Sequence, residues 1–390
     1  MIVIGGGPIG SHTAGQLAEA GHDVAVLERG PQAGTGVCCT GIIGQECVSA
    51  FDIDDSVILK KANSARLFSP SGNLLHVQRE ATQACILDRA AFDLMMANRA
   101  INKGARYLPD RLVSRLENKD NRIEIEVLHQ GEKTIIEARV VVIATGFGSK
   151  LTGRMGMGAG GDFVVGAQAE VATTGINEVE VYLGRQIAPG FFGWLVPTSA
   201  LTARVGLLSR ENPRGHLKQL MTSLREQGKL TTTEAKMNSG GIPLQPLERT
   251  CGERVIAVGD AAGQVKPTTG GGIYFGLLCA DIAVATLHQA LQSDDLSSGN
   301  LAKYERRWRR RLGRELKTGY RARKLFERLS DRQIDRLFYI MKANGIDKAL
   351  LESDDVSFDW HGKAIPMVLG RAVLARVLGR TSAAAKASQG

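Results

Sequence analysis

The chain begins with a short apolar run, Ile2-Val3-Ile4, that passes directly into glycines. Residues 11–20 have helical character, and a second apolar run over 23–27 ends at an acidic residue, Glu28. Short apolar runs bounded by glycine are typical of buried parallel strands, and a helix between two of them indicates a βαβ unit. We therefore expect a parallel sheet at the amino-terminal end of the chain.

Two distant apolar runs are predicted to join the same sheet. Residues 138–146 form a β-rich run that ends in Ala-Thr-Gly, and residues 254–263 form another in which Asp260 follows the strand. A helix predicted over 88–103 would cover the sheet. Because ligands of doubly wound sheets bind at the carboxyl ends of parallel strands, Asp260 is expected at a binding site.

The pattern changes between residues 161 and 246, where short segments rich in β-branched and aromatic residues predict a mainly antiparallel sheet. The predicted strands are 162–171, 178–183, 193–196 and 203–208. Two short segments within 65–79 could add a hairpin to this sheet. The second domain would thus be inserted into the first.

After about residue 296 the chain becomes helical and basic, most strongly over 303–328. Residues 364–380 are predicted to be amphipathic, and the small, polar tail is predicted to be disordered. The fold class is therefore α/β (α+β overall). The predicted division is a discontinuous Rossmann-like domain (1–64, 80–160 and 247–296), an antiparallel-sheet substrate domain (65–79 and 161–246), a basic helical region (297–380) and a tail (381–390).

Composition narrows the classes of protein. The formal net charge is +9, and the six cysteines have no zinc-like spacing, so we expect reduced thiols and no metal. No apolar run reaches the length of a membrane span without charge, and the first strand begins at Met1, so neither a spanning helix nor a signal peptide is expected. Nucleic-acid binding is not expected, because no known module accompanies the arginines.

The glycines after the first strand have the spacing Gly5-x-Gly7-x-x-Gly10. In a βαβ unit, this spacing favours binding of a dinucleotide pyrophosphate at the helix amino terminus. Glu28, 18 positions after Gly10, is placed to accept hydrogen bonds from ribose hydroxyls. Its neighbour Arg29 is also a candidate cofactor-binding residue. The alternative is a βα turn that binds nothing.

Five segments of the chain carry a resemblance: the amino-terminal fingerprint, 36–41 (GVCCTG), 191–197 (FFGWLVP), 259–273 (GDAAGQVKPTTGGGI) and 304–329. Together they resemble the geranylgeranyl reductase family of FAD-dependent flavoproteins, whose fold is similar to that of para-hydroxybenzoate hydroxylase. Three of them discriminate this family from other flavoproteins: the Cys-x-Gly, the Trp-x-x-Pro and the Pro-x-x-Gly-Gly-Gly-Ile motifs.

The resemblance implies FAD as the cofactor and adds candidate residues for binding it. Asp260 would accept a hydrogen bond from the ribityl chain or ribose, and Arg89 would contact the cofactor. Gly271, Gly272 and Ile273 would open a helix whose free N–H groups face the flavin pyrimidine and favour the anionic reduced flavin. The alternatives are a helix N-cap for Asp260, close packing for the glycines and a solvated helix start for Arg89.

The resemblance also implies residues that contact the substrate. Cys39 would lie beside the flavin ring, and Phe192, Trp194 and Pro197 would form an apolar wall for a prenyl chain; Cys39 and Trp194 are the candidate catalytic residues. A buried thiol and ordinary core packing are the alternatives. Phe192 stands where the family often has tyrosine, so no proton donor is assigned.

The function implied is an FAD-dependent reductase that saturates C=C bonds of an isoprenoid lipid. The alternatives are a flavin-dependent monooxygenase or halogenase, and an electron-transfer flavoprotein that reduces quinone. The external reductant, NAD(P)H or ferredoxin, stays open. The basic carboxyl-terminal helices suggest contact with a membrane surface. We expect a cytoplasmic location, with peripheral contact to the inner face of the membrane as the open alternative.

Overall fold

The computed structural model describes residues 1–158, 160–353 and 357–370, together with Val373 and Val377. Its strands are β1 Ile2–Ile4, β2 Ala25–Leu27, β3 Ile42–Gly44, β4 Ile58–Ala62, β5 Ser64–Phe68, β6 Leu74–Gln78, β7 Ala84–Leu87, β8 Arg106–Leu108, β9 Leu112–Asn118, β10 Ile123–His129, β11 Glu132–Ala138, β12 Val141–Ile143, β13 Phe163–Ala172, β14 Val179–Leu183, β15 Phe192–Pro197, β16 Thr202–Ser209, β17 Asn238–Pro243, β18 Cys251–Gly252 and β19 Val255–Ala257. Its helices are α1 Pro8–Glu19, α2 Gln45–Ala50, α3 Arg89–Asn102, α4 Leu151–Arg154, α5 Pro213–Glu226, α6 Ile273–Gln292, α7 Ser298–Phe326, α8 Asp331–Ala343, α9 Ile346–Glu352 and α10 Ala364–Leu369.

The first sheet has the strand order β18-β19-β12-β1-β2-β8, and all neighbours are parallel except the edge pair β18/β19. The central strands β1, β2, β12 and β19 are buried along their whole length, as expected for a sheet covered on both faces. The predicted parallel sheet, including its two distant strands, is therefore confirmed.

Different elements cover the two faces of this sheet. Helices α1, α3, α6 and α7 build one apolar core, while the antiparallel meander β11-β10-β9 packs on the opposite face and builds a second. Helix α3 begins as predicted: the Asp88 carboxylate accepts hydrogen bonds from the N–H groups of Ala90 and Ala91.

The second sheet has seven strands in the order β17-β13-β16-β15-β14-β5-β6 and is antiparallel except between β14 and β5. Strands β13 to β16 and the hairpin β5–β6 were predicted. Strand β17 and helix α5, which packs on one face of the sheet, were not.

Helix α6 is long and apolar enough to cross a membrane by length and composition alone, although it carries the charged Asp281. Yet 67% of its most apolar window is buried inside the protein. The side chains of Phe275, Leu277, Cys279 and Ala283 are completely buried in the core shared with α1 and α7. Helix α6 is therefore a core helix of the protein.

The predicted basic helix is α7, whose apolar side is buried through Leu301, Tyr304, Trp308 and Leu312. Beyond α9, residues 357–362 return to the first domain and pack beside the start of α6. The start of the amphipathic segment predicted over 364–380 forms α10, whereas residues 371, 372, 374–376 and 378–380, and the whole tail from 381, lie outside the described residues.

Candidate active site between the two sheets

The glycines after β1 are required for different physical reasons. Gly5 has a φ of +102°, and a Cβ there would lie 2.4 Å from the carbonyl oxygen of Ala144. A Cβ on Gly10 would lie 2.0 Å from the Gly5 carbonyl oxygen. At Gly7, by contrast, a Cβ would meet nothing within 4 Å. Gly5 and Gly10 therefore allow close packing within the protein, whereas Gly7 leaves open space at the amino terminus of α1.

Glu28 lies at the carboxyl end of β2, next to this turn. Its carboxylate accepts hydrogen bonds from the N–H groups of Gly6 at 2.6 Å and Gly30 at 2.8 Å. Gly6 is held on its other side, because its carbonyl oxygen accepts a hydrogen bond from the Tyr107 hydroxyl at 2.6 Å. The carboxylate is thus fixed beside the glycine turn. The next side chain, Arg29, is exposed to solvent.

Asp260 lies in the short turn Gly259–Ala262 that follows β19. Burial raises the pKa of its carboxyl to about 6, although the nearby Arg89 guanidinium opposes the shift. The interpretation as a helix N-cap is wrong, because the cap residue is Val258 and no side chain caps this turn. Among the described residues the Asp260 carboxylate has no hydrogen-bond partner, so it is free to accept one from a ligand.

The glycine turn before α6 lies directly beside Asp260. A Cβ on Gly272 would be 2.4 Å from the Asp260 Oδ1, and helix α6 begins at Ile273, as predicted. On the other side, a Cβ on Gly270 would lie 3.2 Å from Ile242 and 3.8 Å from Leu208. The first N–H groups of α6 therefore lie where the first domain meets the seven-stranded sheet.

Arg89, the first residue of α3, is not a solvated helix-start residue. Its side chain is only 12% exposed and donates two hydrogen bonds to Asp93 from Nη2, at 2.9 and 3.2 Å, and one from Nε at 3.2 Å. Burial opposes its charge, but the adjacent Cys39 sulfur and Asp93 carboxylate outweigh burial and raise the Arg89 pKa. Arg89 thus joins the start of α3 to Cys39.

The loop of residues 36–41 (the Cys39 loop) docks on the seven-stranded sheet. The Gln168 side chain, on β13, donates to the Cys39 carbonyl at 3.2 Å and accepts from the Thr40 hydroxyl at 2.8 Å. Arg204, on β16, donates to the carbonyl oxygens of Thr40 at 2.8 Å and Leu87 at 2.9 Å. The loop therefore bridges the two domains at Cys39.

Trp194 lies on the same face of the sheet as the Cys39 loop. Trp194 pairs with Gly206, which in turn pairs with Gln168, and directly paired residues point to the same face. A Cβ on Gly206 would be 2.4 Å from the indole, so the missing side chain makes room for the ring. The indole Nε1 is buried and has no hydrogen-bond partner.

The other predicted substrate residues divide between the two faces. Phe192 has the same strand parity as Trp194, and their ring centroids are 5.9 Å apart. Pro197 has the opposite parity and is buried. The structure therefore places Phe192 and Trp194 on the sheet face that the Cys39 loop contacts, while Pro197 lies on the opposite face at the end of the strand.

The groups at the boundary between the first domain and the seven-stranded sheet (the cleft) fit FAD. The open space at Gly7 and the α1 amino terminus suit a pyrophosphate, and Asp260 offers an unpaired carboxylate. The Thr145 hydroxyl, just after β12, is buried without a partner. Polar groups left unpaired in a buried cleft are costly unless a ligand satisfies them. All three lie at the carboxyl ends of parallel strands, where dinucleotides bind.

The cysteines do not form a metal site. All six are free, and within the described part of the chain no group of three or more His, Cys, Asp or Glu side chains is placed to hold a metal ion. Burial raises the pKa of Cys38, and the Cys39 sulfur adds to the shift. A Cβ on Gly240 of β17 would lie 3.9 Å from the Cys38 Cβ, so Cys38 faces the sheet as well.

Several residues of the cleft were not predicted from sequence. Gln168 and Arg204 hold the Cys39 loop, and Leu208 and Ile242 meet the glycine turn before α6. The alternation of β13 and β16 indicated which of their residues share a face. The sequence pattern of these strands did not indicate that the Cys39 loop would contact this face.

Comparisons with known proteins identify relatives of this chain. A family model described as lycopene cyclase protein matches residues 1–351. The digeranylgeranylglycerophospholipid reductase of Methanocaldococcus jannaschii is 30% identical over 348 residues, which cover 86% of this chain and 89% of that protein.

Solved structures show a similar fold. A geranylgeranyl bacteriochlorophyll reductase-like protein from Thermoplasma acidophilum has a TM-score of 0.84 at 23% identity, covering 97% of this chain and 98% of that one. A flavin-dependent brominase has a TM-score of 0.65 at 17% identity, covering 95% of this chain and 93% of that one. The predicted flavoprotein fold is confirmed.

Proposed function

We infer the function from one premise: the chain belongs to the lycopene cyclase protein family and, among its relatives, to the digeranylgeranylglycerophospholipid reductases. It is an FAD-dependent oxidoreductase that saturates C=C bonds of an isoprenoid lipid chain. One observation carries this conclusion: the candidate FAD-binding groups and the sheet face of Trp194 border the same boundary between the two domains. The glycine turn before α6 forms one side of this boundary, and Leu208 and Ile242, on the same sheet face as Trp194, form the other.

FAD would be held by residues of the first domain. Gly7 and the start of α1 receive the pyrophosphate, Glu28 the ribose, and Asp260 a hydroxyl of the ribityl chain. When bound in its reduced form, FAD would supply a hydride to one carbon of a double bond, and a proton added to the other carbon would complete the saturation. The first N–H groups of α6, after Gly271 and Gly272, favour negative charge beside them and therefore stabilise the reduced cofactor.

The sheet wall orients the substrate and excludes water. Trp194, Phe192, Leu208 and Ile242 present apolar surface to a prenyl chain, which is bound mainly by burial of its own apolar surface. Cys39 lies at the boundary of the two domains, in a loop held by Arg89, Gln168 and Arg204. The unpaired Trp194 N–H is the polar group of this wall that is left for a ligand.

We propose a lipid with geranylgeranyl chains as the substrate. The names of the archaeal relatives support this class of lipid, and the cleft residues supply the apolar contacts that it requires. The external reductant is proposed to be NAD(P)H or ferredoxin, acting transiently. The reductant is proposed to act transiently because, within the described residues, the glycine turn between β1 and α1 is the one complete dinucleotide-binding turn, and FAD would occupy it.

Contact with the membrane is proposed through helix α7. Opposite its buried apolar side, α7 exposes a row of cations: Lys303, Arg306, Arg307, Arg310, Arg311, Arg314, Lys317 and Arg321. Each such charge close to an anionic membrane surface contributes about 1 kcal/mol. A cytoplasmic protein with this surface would bind the inner face of the membrane as a peripheral protein, where its lipid substrate resides.

An anaerobic experiment separates this function from its alternatives. The FAD-loaded protein is reduced with dithionite, and geranylgeranyl lipids are added without oxygen while the visible spectrum is recorded. Reoxidation of the flavin by the lipid supports the reductase. A flavin that stays reduced until oxygen is admitted indicates a monooxygenase or halogenase, and one that is oxidised only by quinone indicates an electron-transfer protein.

A further inference from the structure

A buried ion pair lies behind the glycine turn before α6. The Lys266 ammonium is 3.4 Å from the Asp359 carboxylate, and the two side chains are only 5% and 2% exposed. Lys266 also donates a hydrogen bond to the Phe358 carbonyl oxygen at 3.1 Å. The rings of Phe275 and Phe358 lie 5.8 and 5.0 Å from the ammonium, within cation–π distance. The two residues are 93 positions apart in the chain.

Of the two charged residues, Lys266 lies nearer to the glycine turn before α6. The backbone N–H of Lys266 donates to the Gly271 carbonyl at 3.1 Å, and the backbone N–H of Gly270 donates to the Lys266 carbonyl at 2.8 Å. The Lys266 Nζ lies 3.7 Å from the position of a Cβ on Gly271. Asp359 lies on the far side, against Gly44, where a Cβ would be 1.9 Å from its Oδ2.

The carboxyl-terminal segment 357–362 holds the aspartate in this place. The Trp360 indole donates to Glu46 and packs against Phe275, with ring centroids 5.3 Å apart. The ring Nδ1 of His361 lies 2.6 Å from the Thr268 hydroxyl, and the backbone N–H of His361 donates to the Glu315 carboxylate of α7 at 2.7 Å. The segment is therefore tied to the turn, to α2 and to α7.

We propose that Lys266 and Asp359 are positioning residues that tune the reduction potential of the bound flavin, with segment 357–362 holding the pair in place. This inference rests on the proposed function, which places the flavin pyrimidine at Gly271 and Gly272. A cation directly behind that turn stabilises the anionic reduced flavin, and the aspartate partly offsets it from farther away. The pair thus acts through its charge as well as through packing.

Two substitutions test the proposal, because they are expected to shift the midpoint potential of bound FAD in opposite directions. Lys266→Met removes the nearer charge and is expected to lower the midpoint potential of bound FAD. Asp359→Asn leaves the lysine uncompensated and is expected to raise it. A tenfold change in the preference for reduced over oxidised FAD corresponds to about 30 mV for a two-electron couple, and shifts of this order are expected.

Lys303→Met is the matched control, since it removes an exposed lysine charge from α7 instead of the buried one, and it should leave the potential unchanged. Potential shifts of the same sign in K266M and D359N, or no shift in either, would overturn the proposal. Removing one member of a buried pair can prevent folding. For that case, K266R is expected to keep the wild-type midpoint potential, and the double variant K266M/D359N is expected to lower it. Equal midpoint potentials in the wild type, K266R and the double variant would also overturn the proposal.

The measurement separates this inference from the proposed function. The midpoint potential is recorded by spectroscopic titration of the FAD-loaded protein without any lipid. A protein that takes up no FAD would contradict the proposed function itself. A protein that binds FAD but whose potential ignores Lys266 and Asp359 would contradict the inference alone.

Discussion

At the scale of single residues, the glycines around the cleft divide into those that the protein needs and those that the ligand needs. Gly5 has a positive φ and lies against Ala144, while Gly7 has an ordinary extended conformation and open space around it. A methyl group at each position would therefore have different consequences. The sequence motif alone treats the two glycines alike.

The first prediction concerns these two positions. Gly7→Ala should fold with wild-type stability and lose at least about tenfold in FAD affinity, because its methyl group occupies the space meant for the pyrophosphate. Gly5→Ala should instead lower the free energy of unfolding by about 1–3 kcal/mol. Urea denaturation of the apoprotein and FAD titration measure the two effects. A G7A protein that binds FAD as tightly as the wild type would refute this assignment.

The second prediction uses Gly206, over which the Trp194 indole lies. Gly206→Ala should displace the ring and lower kcat/KM for a prenyl lipid by about tenfold or more, the cost of losing a good apolar contact. Trp194→Phe should have a similar effect, and FAD affinity should stay unchanged in both. Gly240→Ala is the control, because a Cβ there meets only Cys38, at 3.9 Å. Wild-type turnover by G206A would show that the indole does not contact the substrate.

At the scale of elements, local pattern predicted most of the framework. The βαβ start, helix α3, strands β13 to β16 and helix α7 all have clear periodicity or caps. Strand β17 was missed because its sequence, Asn-Ser-Gly-Gly-Ile-Pro, is typical of a loop, and only its pairing with β13 makes it a strand. Intrinsic β-propensity is weak where tertiary pairing decides.

The third prediction concerns α7 as an amphipathic helix. Replacing Arg306, Arg310 and Arg314 together by Gln should weaken binding to vesicles that contain anionic lipid by roughly 100-fold, because each cation contributes about 1 kcal/mol. Sedimentation with vesicles measures the binding. The control is the triple Gln variant of Arg106, Arg115 and Lys133, which are also exposed but lie in other elements. Equal losses in the two variants would point to net charge rather than to this helix.

At the scale of the whole molecule, the site depends on contacts between distant parts of the chain. Gln168 and Arg204 hold the Cys39 loop from more than a hundred residues away, and Asp359 meets Lys266 across 93 residues. Such contacts leave no periodic signal in the sequence. The residues of the site could be predicted from motifs, whereas the scaffold that aligns them required the fold.

The fourth prediction concerns stability and pH. Burial, assisted by the nearby Lys266 charge, lowers the pKa of His361 from 6.5 to about 4. The unfolded chain therefore binds a proton between these values that the folded protein does not bind. Stability should fall as the pH decreases from about 6.5 to 4, by up to about 3 kcal/mol.

Urea denaturation over this pH range checks the effect. His361→Gln should reduce the fall in stability, because the substituted side chain does not titrate. An equally steep fall in H361Q would assign the pH dependence to other groups.

The central claim is tested most directly by the mass of the lipid after anaerobic turnover. The protein is reduced in the presence of FAD, incubated with a lipid that has geranylgeranyl chains, and the lipid is analysed by mass spectrometry. We predict a product heavier by one H2 for each saturated bond, with one flavin oxidised per bond. A lipid of unchanged mass beside a fully reduced flavin would contradict the account.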